Sequence, residues 1–198
     1  MESQYKSSGN GGMEVGERER GVAVANKRNM RGCDVVLRFF ALALTLTAAV
    51  VLGVDKETKT VPVTLVPTLP PVNVPLTSKW HYLSAFVFLV VANAIACGYA
   101  AISLLLTLAN MNGKKGITMI IIFFDLVMVA LLFSGVGAAA AIGIMGYQGN
   151  SHVRWNKVCN VFDKFCAQAA AAVAISGIAA AAFLLLVLLA TFNLHKRH

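Results

Sequence analysis

Residues 120–135 read IIIFFDLVMVALLFSG, part of a longer apolar run over 117–145. About 20 helical residues cross the hydrocarbon core of a bilayer, so this run can span one. In lipid the backbone must satisfy its own hydrogen bonds, and an isolated span of this length is therefore a helix. Asp125 is the anomaly in it. A carboxylate in the centre of a lipid-facing segment costs roughly 2.5–3.5 kcal/mol, so another group has to make it tolerable.

Three more apolar runs cover 35–54, 82–109 and 167–193. Of the 198 residues, 58% are hydrophobic and 13% charged, and the mean hydropathy is +0.71. These values describe a membrane protein rather than a soluble domain. The expected fold is all-α: a membrane-embedded four-helix bundle over 35–193, preceded by a mobile tail over 1–34 that is rich in Gly, Ser, Asn and charge, and followed by a short end at 194–198. No small-residue cleavage site follows a short apolar core, so the first span is expected to act as an uncleaved membrane signal.

The net charge of +8 comes from 17 Lys and Arg scattered over ends and loops. That distribution argues against nucleic acid as a partner. One set of flanks carries Lys27, Arg28, Arg31, Lys114, Lys115, Lys196 and Arg197; the other carries Lys56, Lys59, Lys79, Arg154, Lys157 and Lys164, mostly in longer loops. The bias places both termini in the cytosol, with loops 55–80 and 146–166 outside.

Depth along parallel helices suggests a partner for Asp125. Counting 1.5 Å per residue, Arg38 lies about 4–5 Å and Asp125 about 12 Å inside the starts of their runs, a gap that an arginine side chain spans. An intramembrane pair of Arg38 and Asp125 would relieve two buried charges and fix the register of the first and third spans. Arg38 paired with Asp34 one turn earlier, or snorkelling to headgroups, is the competing reading. A protonated, unpaired Asp125 is another.

In WNKVCNVFDKFC, residues 155–166, Cys159 and Cys166 sit in a short outer loop where an oxidising exterior favours a disulfide. A metal site combining them with His152 fits no common zinc spacing, so no metal or other cofactor is expected. Cys33 at the membrane edge is a candidate for palmitoylation, and Cys97 reads as a small packing residue. All five prolines lie in VPVTLVPTLPPVNVP, residues 61–75, which reads as stiff extended backbone. Trp80 and Tyr82 then fit an interfacial anchor. Gly135, Ala139 and Gly143 in the third span, with Ala169, Gly177 and Ala181 in the fourth, are small residues suited to close helix packing inside the bundle. No HExxH, GxSxG or GxxxxGK[ST] pattern occurs, and GVGAAA at 135–140 lies within a span with no strand before it, so no enzyme is indicated.

The string LRFFALALTLTAAVVLGVDKETKTV at 37–61, the helix-one Arg, the helix-three Asp and the cysteines after WNKV resemble the plant Casparian strip membrane protein-like family, four-span proteins similar to the MARVEL domain. The resemblance covers roughly 30–195. It implies a multi-pass plasma-membrane protein with cytosolic termini that forms homo-oligomers, or hetero-oligomers with related members, and that organises a membrane domain and gathers cell-wall-modifying enzymes. It also implies that Arg38 and Asp125 match the family's intramembrane charges and Cys159 and Cys166 its outer-loop cysteines. The proline-rich first loop departs from the short aromatic signature of the strip-forming members. The expected function is a non-enzymatic scaffold in the lipid bilayer; a small transporter or channel using Asp125 is the alternative.

Overall fold

The computed structural model describes residues 10–63, 72–109, 115–149 and 157–195. Four helices dominate it: α1 (Asn10–Gly53), α2 (Ser84–Ala109), α3 (Lys115–Gln148) and α4 (Asp163–His195). Each contains a segment long and apolar enough to cross a bilayer, beginning in α1 at Gly32. The 33 residues of α4 extend about 50 Å, more than a bilayer core, so its ends reach into the headgroup layers.

Two differences from the sequence reading stand out. The helix of α1 begins at Asn10, within the stretch expected to be a mobile tail, and runs unbroken into the span. Residues 10–34 lack an apolar stripe, but Glu, Arg, Met, Ala and Lys have high intrinsic helix propensity and propagate a helix already nucleated by the span. Residues 1–9 and 196–198 lie outside the described residues. The second difference is the first long loop, which holds a β-hairpin: β1 (Lys56–Val63) pairs antiparallel with β2 (Val72–Lys79), from Lys56 opposite Lys79 to Val63 opposite Val72. Pro62 and Pro75 sit inside these strands. A two-stranded ribbon has two free edges, and there a residue without N–H is tolerated.

Each helix buries a stripe spaced by three and four residues. In α1 it is Arg38, Ala41, Thr45, Ala48 and Leu52; α2 repeats the pattern from Phe86 through Leu89, Asn93, Ala96 and Ala100 to Ser103. The opposite faces carry exposed Val, Leu, Ile and Phe, as lipid-facing helices do. α1 packs against α2 and α4, and α3 against α4 and more narrowly α2. α1 and α3 thus occupy diagonal corners. The core has two parts, one around Phe183, Leu186 and Leu132 towards the chain termini, the other around Leu52, Leu89 and Phe165 towards the hairpin. Alanines fill much of both and let the backbones approach closely.

The end of α3 is set locally and the start of α4 from a distance. α3 stops where Gly149 adopts φ 71°, a left-handed conformation, and its N–H reaches the Met145 carbonyl at 2.9 Å. α4 starts at Asp163, four residues before the apolar run, because its first turn is capped from elsewhere: the Phe165 N–H donates to Glu57 Oε2 of β1 at 2.8 Å. Lys59 of β1 donates to Asp163, so two side chains of the hairpin hold the head of α4.

Candidate functional site

The largest concentration of buried polar groups lies in the half of the bundle nearer the termini. Arg38 enters from α1 with a side chain only 2% exposed, and Asp125 enters from the opposite corner at 0%. The guanidinium grips the carboxylate with both terminal nitrogens: Nη1 donates to Oδ1 at 3.2 Å and Nη2 to Oδ2 at 2.9 Å. This two-toothed geometry is the strongest form of Arg–carboxylate contact.

Both competing partners for Arg38 are realised together. Its Nε donates to Asp34 Oδ2 at 3.2 Å, one turn earlier on α1, while the fork engages Asp125. Nη1 also donates to Ser103 Oγ of α2 at 3.0 Å. Tyr99, one turn before Ser103, brings its hydroxyl within 2.8 Å of Asp125 Oδ1 and 3.0 Å of the Ile121 carbonyl. α1, α2 and α3 are therefore joined through one cluster, and the Tyr99 ring faces Phe183 of α4 with centroids 6.2 Å apart. Four of the five guanidinium N–H groups have partners, which is what a cation withdrawn from water requires.

Tyr99 and Ser103 were not singled out from the sequence, although the depth count reaches them. Counting back from Ala109, Ser103 and Tyr99 lie about 9 and 15 Å into α2, and Arg38 and Asp125 lie at the same two depths from Gly32 and Lys115. What the count lacked was which face of α2 turns inward.

A second polar contact lies deeper. Asn93 Nδ2 donates to Ser176 Oγ at 2.9 Å, joining α2 to α4, and to the Leu89 carbonyl at 2.8 Å.

Cys159 and Cys166 are joined by a disulfide with Cα atoms 5.6 Å apart, tying the connection before α4 to its first turn. Their sulfurs are thereby unavailable as metal ligands, and His152 lies outside the described residues. No group of three or more metal-ligating side chains occurs among the described residues. Cys33 is exposed and Cys97 half-buried. Trp80 packs partly against the hairpin-end core, whereas Tyr82 is exposed.

The small residues divide into two groups. Gly135 is in close contact with α2, where an added Cβ would meet Leu89 Cδ1 at 3.2 Å, and Ala139 and Ala169 are buried. Gly143 and Gly177 differ from the expected close packing: a Cβ on either would meet nothing within 4 Å. Ala181 is exposed. The spacing is right in each case, but these three positions fall off the inward stripe, where Ser176, Ala179, Ala180 and Phe183 make the α4 contacts instead.

The Casparian strip membrane protein domain profile matches residues 27–182. Similar proteins include CASP-like protein 1E2 of Vitis vinifera, 60% identical over 198 residues and covering all of both chains. CASP-like protein 1E1 of Glycine max is 57% identical over 92% of this chain and 98% of its own, and CASP-like protein 1E1 of Arabidopsis thaliana is 50% identical over 98% and 100%. No solved structure matches. With the match running through the span that carries Arg38, the span that carries Asp125 and the bridged cysteines, this four-span chain belongs to the CASP-like family of plant membrane proteins.

Proposed function

We propose that the protein is a non-enzymatic plasma-membrane scaffold, with both termini cytosolic, that self-associates laterally and recruits cell-wall-modifying partners. The observation that carries this reading is the division of the small residues. The intramembrane charges are consumed inside one chain, while Gly177 and Ala181 of α4 open onto the lipid-facing exterior. A second bundle could approach closely along that track, since association in lipid relies on tight backbone packing rather than hydrophobic drive.

Transport through Asp125 has less support, because both of its oxygens are engaged by Arg38 and one also by Tyr99. An ion would have to displace a bidentate cation to bind there.

The test is native mass determination in mild detergent together with photobleaching recovery in cells. Wild-type protein is expected as an oligomer of low mobility, and Gly177→Leu with Ala181→Leu as a smaller, mobile species that still reaches the plasma membrane. A freely diffusing wild-type monomer sinks the scaffold reading. Ion flux in proteoliposomes that is lost in Asp125→Asn, with assembly intact, would establish the transporter instead.

A further inference from the structure

At the hairpin end, α1 finishes at Gly53 and, after two intervening residues, the chain enters β1 at Lys56. Asp55 lies in that joint, and its N–H donates to the Leu52 carbonyl at 3.2 Å. Its side chain is turned inward and is 1% exposed, yet neither carboxylate oxygen accepts a hydrogen bond from any described residue. A buried charge with no partner is unstable: it either finds a counter-ion or takes up a proton.

The surroundings favour the proton. The charged group acting on Asp55 is Glu57, another acid. Glu57 is already committed, with Oε2 accepting from the Phe165 N–H and Oε1 lying 3.3 Å from Lys59 Nζ. From α4, Asp163 is held by Lys59 rather than turned to Asp55. Lys56 is exposed and stands opposite Lys79 in the hairpin register, and His81 after β2 is exposed as well. No described cation is thus hydrogen-bonded to Asp55, and a single uncommitted carboxylate is a poor metal site.

Glu57 is also what docks the hairpin on α4, so the two acids share one short segment with different tasks. Glu57 Oε2 accepts from the head of α4, while Asp55, two residues before it, has no hydrogen-bond partner among the described residues. We propose that Asp55 is a proton-operated latch: protonated, it lets the hairpin lie docked on the head of α4, and ionised, it repels Glu57 and loosens that docking.

Burial, together with the neighbouring Glu57, raises the Asp55 carboxyl from 3.8 to about 6. The docked form therefore holds its proton more tightly than the loosened form. Docking is fully favoured below the ordinary carboxylate value, weakens as pH rises through about 6, and levels off above it.

The experiment uses the full chain in lipid nanodiscs and reads hydrogen exchange of segments 56–63 and 158–168 from about pH 4 to about pH 8, corrected for intrinsic rates. Wild-type protection is expected to fall with a midpoint near pH 6, with exchange on the order of tenfold faster above it. Asp55→Asn is expected to stay protected across the range. A second reading needs no variant: the chain has four aspartates, Asp34, Asp55, Asp125 and Asp163, so selective carboxyl labelling follows the Asp55 titration directly by NMR. The latch is overturned by exchange that does not vary with pH, by an unchanged transition in Asp55→Asn, or by an Asp55 signal that titrates at the ordinary value. It is also overturned if calcium shifts the midpoint and a chelator restores it, which would make Asp55 a cation ligand.

Discussion

Asp125 and Asp55 are both withdrawn from solvent, at opposite ends of the bundle, and their neighbourhoods differ in one respect. Asp125 meets a fork of Arg38 donors and the Tyr99 hydroxyl, so both oxygens are satisfied. Asp55 meets another acid and, among the described residues, no donor. Burial alone therefore does not tell what a carboxylate does. The first acid ties three helices together and cannot be exchanged cheaply, whereas the second ties nothing together and is left free to answer to proton concentration. The difference is kept at separate ends of the chain: the spans are pinned by charge, and the hairpin end is pinned by the Cys159–Cys166 disulfide and by Glu57.

That contrast breaks most decisively at Asp125. Asp125→Ala leaves the Arg38 guanidinium buried against Asp34 and Ser103, and a stability loss of about 3–5 kcal/mol is expected. Thermal unfolding followed by size-exclusion chromatography in detergent would read it. The double variant Arg38→Asp, Asp125→Arg should recover part of the loss, and no recovery at all would mean that the pairing is not the source of the effect.

The hairpin end should respond to a covalent change instead. Cys166→Ser opens a short loop and is expected to cost about 2 kcal/mol. Proteolysis should begin near residues 157–162 while the four spans stay intact, and early cleavage within the spans would show that the two ends are not separately pinned.

Tyr99→Phe sharpens the comparison by taking one donor from Asp125 while leaving the ring against Phe183. About 1 kcal/mol is expected, with α1, α2 and α3 still assembled. Asp55→Asn should move stability the other way. Above pH 6 it removes a buried charge that has no hydrogen-bond partner among the described residues, and the gain is expected to be on the order of 1 kcal/mol, in keeping with the roughly tenfold change in exchange. Below the ordinary carboxylate value the variant and the wild type should unfold alike, since the wild-type acid is then neutral in both states.

The four spans were legible because apolar run length is an absolute signal in a bilayer. Depth, at 1.5 Å per residue, was sufficient to suggest Arg38 beside Asp125. Rotation about the helix axis was not, and that is why Gly177 and Ala181 looked like core positions and why the diagonal placement of α1 and α3 was not foreseen. The hairpin was hidden by Pro62 and Pro75, which read as strand breakers unless it is known that the ribbon has free edges. Glu57 as a cap for α4 was out of reach for another reason: it lies 108 residues from Phe165, and no local pattern announces a helix cap supplied from so far away.

The pairing of diagonal corners sets a schedule for biosynthesis. Arg38 leaves the ribosome 87 residues before Asp125. At ordinary synthesis rates its final counter-ion is absent for on the order of ten seconds after the first span is ready to enter the bilayer. Asp34, one turn away on the same helix, is the first made of the two acids that Arg38 contacts, and it can chaperone the arginine until the third span arrives.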